Sequence, residues 1–249
     1  MERIFITGDT HNKQEEEGLE KLRHFIIENE WHIHPPKEEI FIIILGDFGY
    51  IFDGLCSINK KMYPSIQEEV MLTYIESLKK YNITVCFVPG NHENYNRLES
   101  QEFPIVDFKG SKAKKIRDNI YCLMRGEIYS IADKTLFTFG GAKSLDKHFR
   151  KENESWWAHE LPTQEEIDYA FDNLSKHDNK VDYILTHCTS TSIEPFFSSQ
   201  SRNHWTDALD LIYEKVSFQS AFFGHYHEDS IYSFGDKTYG CVLFNFIEL

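Results

Sequence analysis

The sequence predicts an α/β chain in which two β-sheets pack together and helices flank them. Three observations carry this. Apolar runs alternate with amphipathic segments up to about residue 90, short strand-like runs crowd the middle, and the alternation then resumes before a closing hairpin.

Taken in order, ERIFITGD (residues 2–9) is a short strand that breaks at Gly8. QEEEGLEKLRHFIIENE follows with Leu19, Leu22, Phe25 and Ile26 at helical spacing. EIFIIILGD (39–47) is an unbroken apolar run, as expected of a strand buried on both faces. Ser65 and Glu68 form a capping box that opens a helix in PSIQEEVMLTYIESLKKY, and NITVCFVPGNH (82–92) is a third strand. This β-α-β-α-β order marks a parallel sheet with crossover helices. From about residue 103 the rhythm changes, and NIYCLM, EIYSIA and TLFTFGGA read as successive short strands. Residues 144–162 read as irregular, and Thr163 with Glu166 caps a further helix that runs to about Ser175. VDYILTHC is a strand, HWTDALDLIYEKV a helix and SAFFGHYH a strand, and SIYSFGDKTYGCVLFNFIEL closes as a hairpin turned at Gly235-Asp236. With no repeat or linker visible, a single domain over residues 1–249 is expected.

Composition narrows the function classes. A hydrophobic share of 41% and a charged share of 27% are ordinary for a globular protein with a sizeable core. The formal net charge of −14 argues against a broad grip on nucleic acid or an anionic membrane, though not against a small anionic substrate at a locally positive site. The five cysteines, Cys56, Cys86, Cys122, Cys188 and Cys241, are scattered, with no Cys-x-x-Cys pair. They read as small buried hydrophobes in a reducing compartment. No apolar run approaches bilayer length and the start carries no signal-peptide pattern, so a cytoplasmic protein is expected.

The chemistry collects at strand ends. Five of them read Gly8-Asp9-Thr10-His11, Gly46-Asp47, Gly90-Asn91-His92, Thr186-His187 and Gly224-His225-Tyr226-His227. In open α/β sheets, sites form beyond the carboxyl ends of the strands, so these segments can converge. If the run before Gly224 is a strand, His225 and His227 project from one face by its period of two. Each piece alone has a plain explanation: Gly-Asp after a strand is commonly a turn, and a lone histidine commonly structural. The pair His32 and His34 in WHIHPP repeats the His-x-His spacing without a neighbouring carboxylate strand end, and reads as surface loop. Together, however, Asp9, His11, Asp47, Asn91, His187, His225 and His227 offer seven nitrogen or oxygen donors and no sulfur. Such donors suit manganese, iron, zinc or nickel. Seven overfill one catalytic ion but suit two ions sharing a bridging carboxylate, spaced about 3.5–4 Å apart, the device used for in-line displacement at phosphorus.

The order Asp-x-His, Gly-Asp, Gly-Asn-His-Glu, His, Gly-His-x-His resembles the calcineurin-like metallophosphoesterases, over residues 8–227. The resemblance implies a four-layer αββα sandwich with a dinuclear site at the strand ends. By motif position, Asp9, His11 and His227 would hold one metal, Asn91, His187 and His225 the other, and Asp47 would bridge them. His92 would assist the leaving group while a metal-activated hydroxide attacks phosphorus. The expected cofactors are therefore two divalent ions, manganese first, and the expected partner is a small soluble phosphomonoester or phosphodiester. A nuclease is disfavoured by net charge. A Ser/Thr-type protein phosphatase is disfavoured because GDFGYIFDG lacks the Asp-Arg pair of that branch, and a non-catalytic scaffold because no ligand position is lost. Arg150 (or His148) and Arg97 are candidate phosphate contacts, Trp156 or Trp157 a candidate wall of the cleft, and Asp53 a candidate partner for His92. GGAKSLDKHFR and SWWAHELP resemble segments of bacterial and prophage-type members, and packed surface insertion explains them equally well. KGSKAKKIR (109–117) reads as an exposed basic loop.

Overall fold

A computed structural model describes residues 1–10, 16–52, 56–58, 61–63, 65–197 and 202–249 of the chain. Strand β1 (Glu2–Thr7) leads to helix α1 (Glu16–Glu28), and β2 (Glu39–Leu45) pairs parallel to β1. A small hairpin of β3 (Cys56–Ile58) and β4 (Lys61–Tyr63) precedes α2 (Ile66–Ser77). The Ser65 side chain accepts the Glu68 amide and so caps the start of α2. Strand β5 (Ile83–Val88) joins the parallel set beside β2, and one turn of helix, α3 (Tyr95–Leu98), follows. Next come β6 (Ile105–Phe108), β7 (Ser111–Arg117), β8 (Ile120–Leu123), β9 (Glu127–Ile131) and β10 (Lys134–Phe139). Helix α4 (Gln164–Lys176) opens with the expected Thr163–Glu166 capping box. Strand β11 (Tyr183–Thr186), α5 (His204–Lys215), β12 (Ser220–Phe223), β13 (Ser230–Phe234), β14 (Lys237–Cys241) and β15 (Ile247–Glu248) complete the chain.

Two mixed sheets result. The first has the order β15-β1-β2-β5-β8-β7-β6 and the second β13-β14-β12-β11-β10-β9. Alternation along β2 shows how the layers are made. Ile40, Ile42 and Ile44 face outward onto Leu22, Phe25 and Ile26 of α1 and onto Leu72 and Ile75 of α2. Phe41, Ile43 and Leu45 face inward and meet Leu136, Leu185 and Phe222 of the second sheet. On the far side, Phe137, Phe139, Ile184 and Phe223 carry Ile167 and Leu174 of α4 and Trp205 and Leu209 of α5. Helices, sheet, sheet and helices thus form the expected four-layer αββα sandwich, and an all-apolar β2 is what burial on both faces demands.

Two segments depart from the sequence reading. The basic stretch at 109–117 is not a loop: β6 and β7 pair antiparallel about a turn at Lys109 (φ 48°) and Gly110 (φ 86°). Only Ala113 and Ile116 of β7 are buried, and their spacing of three breaks strand periodicity because a bulge shifts the register between Lys115 and Arg117. Most of its charges are paired locally, Lys112 with Asp107, Lys115 with Asp118 and Arg117 with Glu69. The C-terminus also does more than complete a hairpin. β13 and β14 do pair about Gly235-Asp236, but the chain then crosses to the other sheet, where β15 pairs antiparallel with β1. Among the described residues, no helix is long and apolar enough to cross a membrane.

Candidate metal centre

β1, β2 and β5 of the first sheet and β11 and β12 of the second end on the same side of the sandwich. There Asp9, Asp47 and His187 each offer one ligand atom, and the three atoms lie within 4.8 Å of one another. All three side chains are buried. His187 is fixed from behind: its Nδ1 donates to the Leu45 carbonyl at 2.8 Å, so Nε2 faces the site, 3.1 Å from Asn91 Oδ1 and 3.3 Å from Asp47 Oδ1. Asp9 Oδ1 accepts the His225 amide at 3.1 Å, and Asp9 Oδ2 lies 3.1 Å from His227 Nε2. The rings of His187 and His225 approach to 5.0 Å between centroids. The structure therefore brings together six of the seven expected donors; His11 lies outside the described residues.

The glycines of the motifs have a spatial reason that local turn chemistry does not supply. Gly8 packs against the Val242 carbonyl, but Gly46, Gly90 and Gly224 each leave room for a donor from another strand. A Cβ on Gly46 would sit 2.0 Å from His187 Nδ1, one on Gly90 2.0 Å from Asp47 Oδ1, and one on Gly224 2.3 Å from Asp9 Oδ1. Gly46 also needs its φ of +88°, which a side chain would strain. Donors of the two sheets are thus interleaved through backbone that carries no side chain.

The conformational reason expected for the His225–His227 pair does not hold. β12 stops at Phe223, and His225 (φ 68°) and His227 (φ 55°) both take the left-handed conformation in a bend. Strand alternation does not aim them. Two left-handed residues, a strained choice for histidine, do.

The electrostatics fit a cation. Burial works to lower the pKa of His187, but the carboxylates of Asp47 and Asp9 outweigh it and raise the value to about 10. Burial, with His187 beside it, lowers His225 to about 3. One imidazole thus holds a positive charge amid the carboxylates while its neighbour stays neutral with a lone pair available. Nitrogen and oxygen donors converging with two carboxylates fit hard or borderline divalent ions, so the residues present suit a metal centre.

An open cleft of about 230 Å³ lies over the site, lined by Asp47, Asn91, His92, Arg150, Glu194 and His225 among others. His92 donates its backbone amide to Asp47 Oδ1 at 2.8 Å. Its ring stacks on Phe52 at 6.3 Å, and the Arg150 guanidinium reaches both ring nitrogens, Nδ1 at 3.2 Å and Nε2 at 2.9 Å. A neutral imidazole has one acceptor nitrogen, so at most one of these approaches is a hydrogen bond. Asp53 lies outside the described residues. Arg97 does not face the cleft: it is buried and forks onto Glu68 at 2.5 and 2.7 Å, and it also binds Glu102, so its expected role as a phosphate contact gives way to a structural one. Neither tryptophan lines the cleft. Trp157 is buried behind Phe52, and Trp156 carries Lys147 on its face. Two residues that the sequence reading passed over stand directly behind Asn91. Ser144 and Glu160 are both buried, and nothing in their spacing announces them.

A four-layer sandwich with carboxylates and imidazoles gathered at its strand ends defines a class of metal-dependent hydrolase. The chain belongs to the calcineurin-like phosphoesterase family, whose model matches residues 2–229. It is accordingly a hydrolase of phosphoric esters that works with divalent metal ions. No curated protein matches the chain. One solved crystal structure is 11% identical, spans 99% of this chain and 94% of its own, and gives a TM-score of 0.51, a likeness of fold. Two others are a phosphopantetheinyl hydrolase, PptH, from Mycobacterium tuberculosis (13% identity, 97% of this chain and 89% of that one, TM-score 0.43) and GAP50, described as the anchor in the inner membrane complex of Plasmodium (12%, 97% and 71%, 0.49).

Proposed function

We propose that this protein hydrolyses a small soluble phosphomonoester or phosphodiester at a centre of two divalent ions, manganese in first place. The observation that supports this most is the convergence of Asp9, Asp47, Asn91, His187, His225 and His227 from five strand ends in both sheets. Neighbour relations favour a division of labour. His227 adjoins Asp9, so those two, with His11, would hold one ion. Asn91 and His225 both adjoin His187, so these three would hold the other, with Asp47 between the two groups. The chemistry supplied at these residues by two ions, once bound, would be activation of water and neutralisation of phosphoryl oxygens. The protein's own groups do the rest. His187, locked by the Leu45 carbonyl, presents Nε2 in a fixed direction, and Asp47 is held in place by the His92 amide. His92 borders the cleft and can donate a proton to the departing oxygen. Arg150 borders the cleft, where its guanidinium pairs with the exposed Asp146 at 2.8 Å and meets the His92 ring, and a phosphoryl group offers its planar fork two acceptors in place of that imidazole. Arg97, already committed to two carboxylates, has no part in this reading. We take residues 1–249 as one catalytic domain. The buried free thiols of Cys86, Cys122, Cys188 and Cys241 agree with a cytoplasmic setting. A nuclease remains disfavoured, now also because Lys112, Lys115 and Arg117 of the basic run on β7 are paired with carboxylates.

Metal analysis beside hydrolysis of a model phosphomonoester and a model phosphodiester tests the proposal. Near two ions per chain are expected, with activity lost to chelator and restored by Mn²⁺. Unchanged metal content and turnover in Asp47→Asn would refute it.

A further inference from the structure

Asn91 is a donor of the centre whose usefulness depends on which way round its amide sits. Its carbonyl oxygen can ligate a cation, whereas its NH₂ group is a donor and cannot, and the two ends have nearly the same shape. Something must therefore choose between them. Behind Asn91, Nδ2 lies 3.1 Å from Ser144 Oγ, and Ser144 Oγ lies 2.6 Å from Glu160 Oε2. Glu160 Oε1 also accepts the Ser144 backbone amide at 2.8 Å. A carboxylate only accepts, so the single hydroxyl proton of Ser144 goes to Glu160, at a distance usual for hydroxyl-to-carboxylate bonds. Toward Asn91, Ser144 then shows lone pairs alone. Only the NH₂ end can face it, and Oδ1 is left facing His187 Nε2 at 3.1 Å.

We infer that Glu160 and Ser144 are positioning residues that set the polarity of the Asn91 amide, turning its oxygen toward the metal centre. The inference rests on the two-ion reading. Surrounding structure holds the relay in place. Arg125 donates to the Gly140 carbonyl at 3.0 Å and to the His159 and Glu160 carbonyls at 2.7 and 3.1 Å, joining the two segments that carry Ser144 and Glu160. The Gly141 amide donates to the Pro89 carbonyl at 2.7 Å, joining them to the end of β5. The irregular region after β10 thereby has a task beyond surface packing, alongside the cleft that its Leu145, Asp146 and Arg150 help to line.

The decisive perturbation is Glu160→Gln, which keeps shape and removes acceptor-only character. The Gln amide can donate to Ser144, whose hydroxyl then turns its proton on Asn91 and draws the carbonyl away from the centre. Titration with Mn²⁺ alone, followed by calorimetry, should show the second equivalent weakened by about 10- to 100-fold. The same change in an Asn91→Asp background should cause no loss, because a carboxylate has oxygen at both ends and Ser144 would now have an acceptor to donate to. Equal weakening in both backgrounds would mean a merely structural role and overturn the inference, as would wild-type affinity in Glu160→Gln. A metal-independent readout separates this from failure of the two-ion reading. In the metal-free protein, nuclear Overhauser contacts from the Asn91 NH₂ should run to Ser144 in wild type and to the His187 ring in Glu160→Gln. If those contacts behave as stated while wild type takes up no Mn²⁺, the functional proposal fails and the amide relay stands. If the contacts do not move, the relay is wrong. Should Glu160→Gln not fold, Ser144→Ala leaves the amide without a preferred end and should weaken the second equivalent by up to about tenfold, again only with Asn at position 91.

Discussion

Gly224→Ala isolates the interleaving of backbone and donors from every other effect at the centre. Gly224 has no left-handed backbone to strain, so the added methyl acts through space alone. It would lie 2.3 Å from Asp9 Oδ1 and 2.8 Å from the Leu45 carbonyl oxygen. An ordinary contact needs roughly 3.4 Å, so about 1 Å must be found. The Leu45 carbonyl cannot supply it, because it sits in a fully buried strand and already binds His187 Nδ1 at 2.8 Å. The Asp9 carboxylate must move instead and give up the His225 amide at 3.1 Å. Overpacking of this kind costs about 1–3 kcal/mol of stability. A ligand moved by 1 Å should weaken metal binding by about 10- to 100-fold and slow turnover by about 100-fold. Denaturant unfolding, Mn²⁺ titration and steady-state hydrolysis of a model phosphoester measure the three. Gly235→Ala is the control: its φ is +65° with nothing within 4 Å of the new Cβ, so it should cost about 1–2 kcal/mol of backbone strain and leave metal affinity unchanged. Wild-type metal affinity and turnover in Gly224→Ala would refute the view that these glycines exist to admit the donors.

The two arginines should separate cleanly. Arg150→Ala should lower kcat/KM by about 10- to 100-fold, the worth of a charged hydrogen bond, and leave metal content unchanged. Arg97→Met removes the bidentate partner of the buried Glu68 carboxylate and should cost about 3–5 kcal/mol of stability without changing KM. pH should matter most in the metal-free protein. The folded pKa of His187 is raised to about 10 from 6.5, so the stability it lends is complete below about pH 6.5 and drains away as pH rises toward 10. Lys21 works the other way: burial lowers it to about 8 from 10.5, which returns stability between those values. Melting temperature should therefore fall mainly between pH 6.5 and 8 and flatten above, and a rising curve over the first interval would count against the His187 assignment.

Much of the architecture is readable because burial imposes period. The all-apolar β2 and the spaced apolar residues of α1 report two-faced and one-faced burial directly. Where a local irregularity intervenes, that signal is lost. The bulge in β7 places its buried residues three apart, and β15, two residues long, has no period to show. The same boundary runs through the site. Asp9, Asp47, Asn91, His187 and the His225–His227 pair were legible because each ends a strand beside a recognisable partner. The fate of the two arginines was not, since it depends on the carboxylates each meets: buried Glu68, 29 residues before Arg97, claims that one, while Arg150 meets the exposed Asp146.

The glycines show why short motifs in this chain carry so much information. Asp after Gly is a common turn, and its local chemistry explains it without any site. What local chemistry does not explain is why the missing Cβ of Gly46 coincides with His187, that of Gly90 with Asp47 and that of Gly224 with Asp9. In each case the glycine belongs to one donor's strand and the space to a donor from another. The pattern therefore records close approach between distant segments, a tertiary fact written into dipeptides. For Gly46 with His187 and Gly224 with Asp9 the approach runs between the sheets, so the hydrophobic layer there also helps to hold the donors within 4.8 Å. A core change in that layer, such as Leu185→Ala two residues before His187, should consequently loosen the centre as well as the fold.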